Sequence, residues 1–91
     1  MEILSFEKLT IYEVETLHET LKPLVESLTE DLELDLSSVR KVDMSAIQIL
    51  IATQKSCQSQ NVELILKNVD EVILKDLDLC GCSQLLGVSH E

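Results

Sequence analysis

Apolar positions along this chain switch between two periods. From Glu13 onward, Val14, Leu17, Leu21, Leu24, Val25 and Leu28 recur three or four residues apart, with Glu15, Glu19 and Glu26 outside the stripe. That spacing predicts one amphipathic helix. Pro23 falls inside it and removes an intrahelical hydrogen bond, which predicts a bend or a local break. The pattern then changes to period two in 32-LELDL-36, where Leu32, Leu34 and Leu36 alternate with Glu33 and Asp35, a half-buried strand that Ser37-Ser38 ends. Residues 2–11 alternate more loosely, through Ile3, Ser5, Lys8, Leu9 and Ile11, and predict one or two short strands. A strand running out at Val42 leads through 43-DMS-45 into a second helix carrying Ile47, Leu50, Ile51 and Cys57, which Asn61 ends. Another strand is predicted at 62-VELIL-66. Asn68 then stands where a cap would open a third helix bearing Val69, Val72, Ile73 and Leu77, with Gly81 as its stop. The tail 83-SQLLGV-88 predicts a short helical turn or a terminal strand. Helices alternating with short strands imply β-α-β crossovers, a sheet that is at least partly parallel, and helices covering at least one face.

Charge and composition narrow what such a chain does. The 91 residues contain no linker and no repeat, so one domain is expected over 1–91. Apolar residues make up 45%, enough aliphatic surface for a packed core. A net charge of −10 would repel nucleic acid and anionic lipid, and suits a basic patch on a partner protein. No run of about 18 uncharged apolar residues predicts a spanning helix, so no direct insertion into a membrane is expected. The start 1-MEILSFEKL-9 has no basic segment followed by an apolar one and does not read as a signal peptide. The cysteines, Cys57, Cys80 and Cys82, are odd in number and few, which suggests a reducing cytoplasm.

Candidate chemistry is sparse. Zinc sites space paired cysteines more widely than Cys80-Gly81-Cys82, and Cys57, His18 and His90 offer no second pair. These thiols read as fillers of apolar positions, and no adjacent basic residue favours a reactive thiolate. His18 has no nucleophile identifiable beside it. Acid pairs such as Asp31/Asp35 and Asp76/Asp78 read as solvated charge in a chain with 17 acids. Two glycines leave no phosphate-binding loop. The expectation is a non-enzyme without cofactor or metal.

Ser45 stands out because two readings share its geometry. Ser45-Ala46-Ile47-Gln48 matches the capping box S-x-x-Q, and Asp43 is an alternative cap. A serine hydroxyl on the loop between a strand and a helix is also open to a kinase. A phosphate there would meet free N–H groups and the positive end of the helix dipole. It would add about 1.5 to 2 negative charges next to Asp43, enough to repel a docked partner without unfolding the domain.

The segment 34-LDLSSVRKVDMSAIQILIA-52 resembles the STAS domains, the family of bacterial anti-sigma-factor antagonists and of the cytoplasmic domains of sulfate transporters. Asp35-Leu36-Ser37, Val39, Val42-Asp43, Ser45 and Leu50 fall where the family pattern of D-L-S-x-V followed by D-S-S-G-L or D-T-A-G-L wants them. The segments 9-LTIYEVETLHETL-21 and 79-LCGCSQLLGV-88 are similar to the flanking family segments, so the resemblance covers nearly the whole chain. It implies a single α/β STAS-like domain with a mixed four- to five-stranded sheet and three to four helices. It also implies a cytoplasmic signalling protein, in chemotaxis for example, that switches partners without chemistry of its own. A kinase-type anti-sigma factor or related signalling protein would bind the loop and phosphorylate Ser45, and a PP2C-type phosphatase would reverse the mark. Asp43, Met44, Ser45 and Ala46 would form the docking loop, bordered by Ser37 and Ser38. Three positions depart from the strict antagonist motif: Met44 replaces a small hydroxyl residue, Ala46 a glycine and Ile47 a leucine. D-M-S-A-I is closer to D-T-A-G-L, a form similar to small stand-alone members. The alternative that follows is a constitutive docking subunit of a phospholipid-trafficking ABC transporter, with Ser45 only a helix cap.

Overall fold

The period-two segments become strands and the three- and four-spaced stripes become helices. The computed structural model describes residues 2–82 and 86–88. In chain order these form β1 (Glu2–Ile3), β2 (Lys8–Leu9), α1 (Val14–Glu26), β3 (Leu32–Asp35), β4 (Lys41–Val42), α2 (Met44–Ser59), β5 (Leu64–Lys67), α3 (Glu71–Leu79) and β6 (Gly87–Val88). Strands β1, β3, β5 and β6 make a four-stranded sheet in that order, and β2 pairs with β4. Each described pairing is parallel. Parallel neighbours need crossovers, and each crossover in the four-stranded sheet carries one helix. This is the α/β architecture expected, with the tail supplying the terminal strand. Residues 83–85 of that tail and His90 lie outside the described residues.

The two sheets are one ribbon with a step in it. Glu2 lies opposite Leu34 and Lys8 opposite Lys41, so the offset grows from 32 to 33 along the pair. The extra residue is taken up between β3 and β4. Asp35 Oδ1 accepts the Ser37 N–H at 2.8 Å, and the Val39 N–H closes back on the Leu36 carbonyl at 3.0 Å. The tight turn leaves Leu36 and Val39 buried and pushes Ser37 and Ser38 into solvent. Pairing resumes where the Arg40 N–H donates to the Glu7 carbonyl at 2.7 Å.

One core lies under the sheet. Leu34 and Leu66 from the strands meet Leu17 of α1, Leu50 of α2 and Leu77 of α3, all buried. Gln54 is buried among them, and its amide donates to the Leu64 carbonyl at 3.1 Å while its oxygen accepts the Leu64 N–H at 2.9 Å. A polar side chain is stable there because both of its functions are satisfied.

Four local expectations are corrected. Helix α1 runs through Pro23 without a break and ends at Glu26. A proline near the C-terminus removes one bond, and Leu21, Leu24 and Val25 still pack on the core. Asn68 does not cap α3. It takes a left-handed conformation, φ 57°, and turns the chain toward Asp70, whose carboxylate accepts the Val72 N–H at 2.9 Å. Val72 is exposed, leaving Ile73 and Leu77 as the buried positions of that helix. Of the neighbouring thiols only Cys82 is buried; Cys80 is exposed.

Candidate functional site

In a parallel sheet the strands all end on one side, where the helices begin, and ligands or partners are met at that end. Here the turn before α1, the Ser37-Ser38 step, the start of α2 and the start of α3 gather at this end. Asp43 ties two of them together. Its Oδ1 accepts the Ala46 N–H at 3.2 Å and its Oδ2 accepts the Ile11 N–H at 2.8 Å, while its own N–H donates to the Leu9 carbonyl. The extended backbone of Asp43, φ −118° and ψ 176°, marks it as the N-cap of α2.

The S-x-x-Q capping box is therefore not what opens this helix. With Asp43 as cap, Met44 is the first helical residue, Ser45 the second and Ala46 the third. Ser45 is half-buried, and its hydroxyl has no hydrogen-bond partner among the described residues. The N–H groups of Met44 and Ser45 point out of the helix, as first-turn donors must. Ala46 is fully buried at negative φ, so the helix needs no glycine there, and the added methyl packs into the core.

The rim of this site is apolar. A side-chain clasp holds the preceding turn: Glu13 Oε1 accepts both the N–H and the hydroxyl of Thr10, at 3.0 and 2.7 Å. The turn presents Ile11 and Tyr12, Tyr12 is 90% exposed, and Met44 is exposed at the start of α2. Neither Ile11 nor Tyr12 stands out as a site residue in the sequence. The available signal is that Tyr12, the only tyrosine, lies outside the α1 stripe, two residues before it.

On the other side Arg40 donates from Nη1 to the Ser37 carbonyl at 2.7 Å and approaches the Asp70 carboxylate at 3.8 Å. It spans the step and the start of α3, and leaves the Ser37 and Ser38 side chains exposed. Hydrogen bonds from the Ser37 backbone N–H, then the Ser37 hydroxyl and the Asn68 amide, hold the Asp35 carboxyl below its ordinary range, against a smaller opposing effect of burial. The structure thus brings Asp43, Met44, Ser45 and Ala46 together at one helix start. Ser37 and Ser38 lie at the same end of the sheet on a separate turn. Among the described residues no three His, Cys, Asp or Glu side chains are grouped to hold a metal ion, and no helix is long and apolar enough to cross a membrane.

Comparison with known proteins matches this frame. The family model described as "Mlab, STAS domain" matches residues 7–87. An anti-sigma-B factor antagonist of Staphylococcus epidermidis is 27% identical over 83 residues, covering 91% of this chain and 77% of that protein. A candidate anti-sigma factor antagonist from Thermotoga maritima has the same fold, with a TM-score of 0.81 at 19% identity, over 94% of this chain and 75% of that one. A sulfate transporter family protein from Wolinella succinogenes superposes with a TM-score of 0.74, also at 19% identity, over 96% and 74% of the two chains.

Proposed function

This chain belongs to the STAS domain family, and from that premise we propose that it is a non-enzymatic binding module of the anti-sigma-factor-antagonist type, switched by phosphorylation of Ser45. The observation that carries the reading is the start of α2. Asp43 does the capping, so the half-buried Ser45 hydroxyl has no structural duty in the fold. The exposed Ile11, Tyr12 and Met44 give a partner an apolar surface around it. Ser37 and Ser38 border that surface from the neighbouring turn.

In this mechanism a kinase-type anti-sigma factor, or a related signalling protein, docks on the unmodified loop and transfers a phosphoryl group to the Ser45 hydroxyl. The free first-turn N–H groups accommodate the phosphate. Its charge stands next to the Asp43 carboxylate, and the combined negative field expels the partner while the fold persists. A PP2C-type phosphatase restores the hydroxyl. The related antagonist from Staphylococcus epidermidis supports this class of partner.

A second reading rests on the family model itself, whose description is "Mlab, STAS domain". In it the same surface docks permanently, as a subunit of a phospholipid-trafficking ABC transporter, and Ser45 is never modified. Affinity capture from the source cell with wild type, Ser45→Ala and Ser45→Asp separates the two. The switch expects Ser45→Asp to lose the captured partner by about tenfold or more, a penalty of about 1.4 kcal/mol, with circular dichroism unchanged. It also expects a phosphate on Ser45 in the intact mass of protein drawn from its own cell. Equal capture by all three versions sinks the switch and leaves constitutive docking.

A further inference from the structure

The end of α3 holds a feature that the binding loop does not use. Cys80 is the last, half-helical residue of α3, Gly81 follows in the left-handed region at φ 73°, and Cys82 returns to the core. The Cys82 N–H donates to the Leu77 carbonyl at 2.8 Å and the Gly81 N–H to the Asp78 carbonyl at 3.2 Å, the paired bonds of a Schellman turn. Both thiols are drawn into this turn. Cys80 Sγ donates to the Leu77 carbonyl at 3.4 Å, and Cys82 Sγ to the Cys80 carbonyl at 3.7 Å. A left-handed helical middle residue sets its two neighbouring Cα atoms about 5.4 Å apart, as any helical turn does. That spacing is inside the range a disulfide spans.

We propose that Cys80 and Cys82 are a dithiol–disulfide exchange pair, with Cys80 the entry thiol, Cys82 the resolving thiol, and small cationic disulfides the matched oxidant. Exposure sets the order, because Cys80 faces solvent and Cys82 is only 6% exposed. Charge sets the oxidant class. The pair lies at the negative end of the α3 dipole, two residues from Asp78 and four from Asp76, on a chain of net charge −10.

The electron count closes on the named oxidant. The Cys80 thiolate attacks one sulfur of the small disulfide, its S–S bond breaks, and one thiolate leaves. The Cys82 thiolate then attacks Cys80 Sγ, the mixed S–S bond breaks, and the second small thiolate leaves. The two cysteine protons end on the two released thiols, so the protein loses two electrons and the small disulfide gains them. In the reduced state the Cys80 side chain, then burial, hold the Cys82 thiol above its ordinary range. Conversion of Cys80 to a mixed disulfide removes its thiol from that interaction, so the second step is favoured once the first has happened. Gly81 lets the ring close, and a side chain added there would meet nothing within 4 Å.

Cystamine added to the fully reduced chain under native conditions tests this, with acid quenching and intact mass as the readout. Wild type should lose two hydrogens, carry no cysteamine adduct, and fall from three free thiols to one. Peptide mapping should join Cys80 to Cys82. Cys82→Ser should instead keep one cysteamine on Cys80. Cys80→Ser should react about tenfold or more slowly, because Cys57 and Cys82 are buried. The peptide map of the wild type needs no variant to fold, and Cys82→Ala gives a second resolving-thiol variant without a hydroxyl. A lasting adduct on wild type, a bridge to Cys57, a disulfide-linked dimer, or an equal rate for Cys80→Ser overturns the pairing.

Discussion

Asp43 and Ser45 are two residues apart and carry different loads. Asp43 uses one carboxylate oxygen to cap α2 and the other to hold the Ile11 N–H, so it couples a helix start to the turn that presents Tyr12. Asp43→Ala should cost about 1–2 kcal/mol in urea unfolding, the usual loss for a cap. It should also release the Thr10–Glu13 turn. Ser45→Ala should stay within about 0.5 kcal/mol of wild type in the same measurement, because its hydroxyl bonds nothing described. A loss of 1 kcal/mol or more there would return Ser45 to a structural role. Asp35 makes a pH prediction. Its carboxyl is depressed by the Ser37 N–H and hydroxyl, so the unfolded chain binds this proton more readily than the folded one. The stabilisation is present above the unfolded value, about 3.9, and is lost as pH falls through the lower folded value. Asp35→Asn should therefore be less stable than wild type at neutral pH, with the gap shrinking as pH drops below about 4.

Each crossover helix is fastened to the sheet by a specific device, and the devices differ. Helix α2 uses Gln54, whose amide pairs with both the N–H and the carbonyl of Leu64. Gln54→Leu keeps the volume but takes the Gln54 oxygen from the buried Leu64 N–H. The expected cost is about 1–3 kcal/mol in chemical denaturation, the penalty for one buried group left unpaired. Helix α3 relies on Asp70 at its start and on the Schellman turn at its end. Helix α1 tolerates Pro23 because its apolar stripe, with Leu17 and Leu21 buried, anchors the turns before the proline.

Across the whole molecule, charge and shape act separately. The parallel crossovers bring all three helix starts to one end, so the start of α2 and the exposed apolar turn before α1 meet from segments more than thirty residues apart, as in the bond between Ile11 and Asp43. The net charge of −10 repels itself in the compact state. Only two ion pairs offset it among the described residues, Arg40–Asp70 at 3.8 Å and Lys67–Glu33 at 3.5 Å, both partly solvated and weak. Thermal stability should therefore rise as sodium chloride increases from about 0.01 M to 0.15 M, where the Debye length falls from about 30 Å to 8 Å. A flat or falling melting temperature would show that the acids are spaced too widely to repel.

Periodicity alone was enough for the three helices and for strands β3 and β5, because burying an apolar stripe or an alternating face is a local necessity of each segment. The family motif from Asp35 to Leu50 was likewise legible. Which residue caps α2 was not, since Asp43 and Ser45 have equal local claim. The Ile11 N–H decided it, by taking the second oxygen of Asp43 from across the fold. The same holds for Asn68 and Asp70, where the backbone turn leaving β5 places the cap two residues later. Tyr12 became part of a rim, and Cys80 parted from Cys82 in exposure, for one reason. Exposure depends on what the rest of the chain packs against a residue, and local pattern carries no record of that.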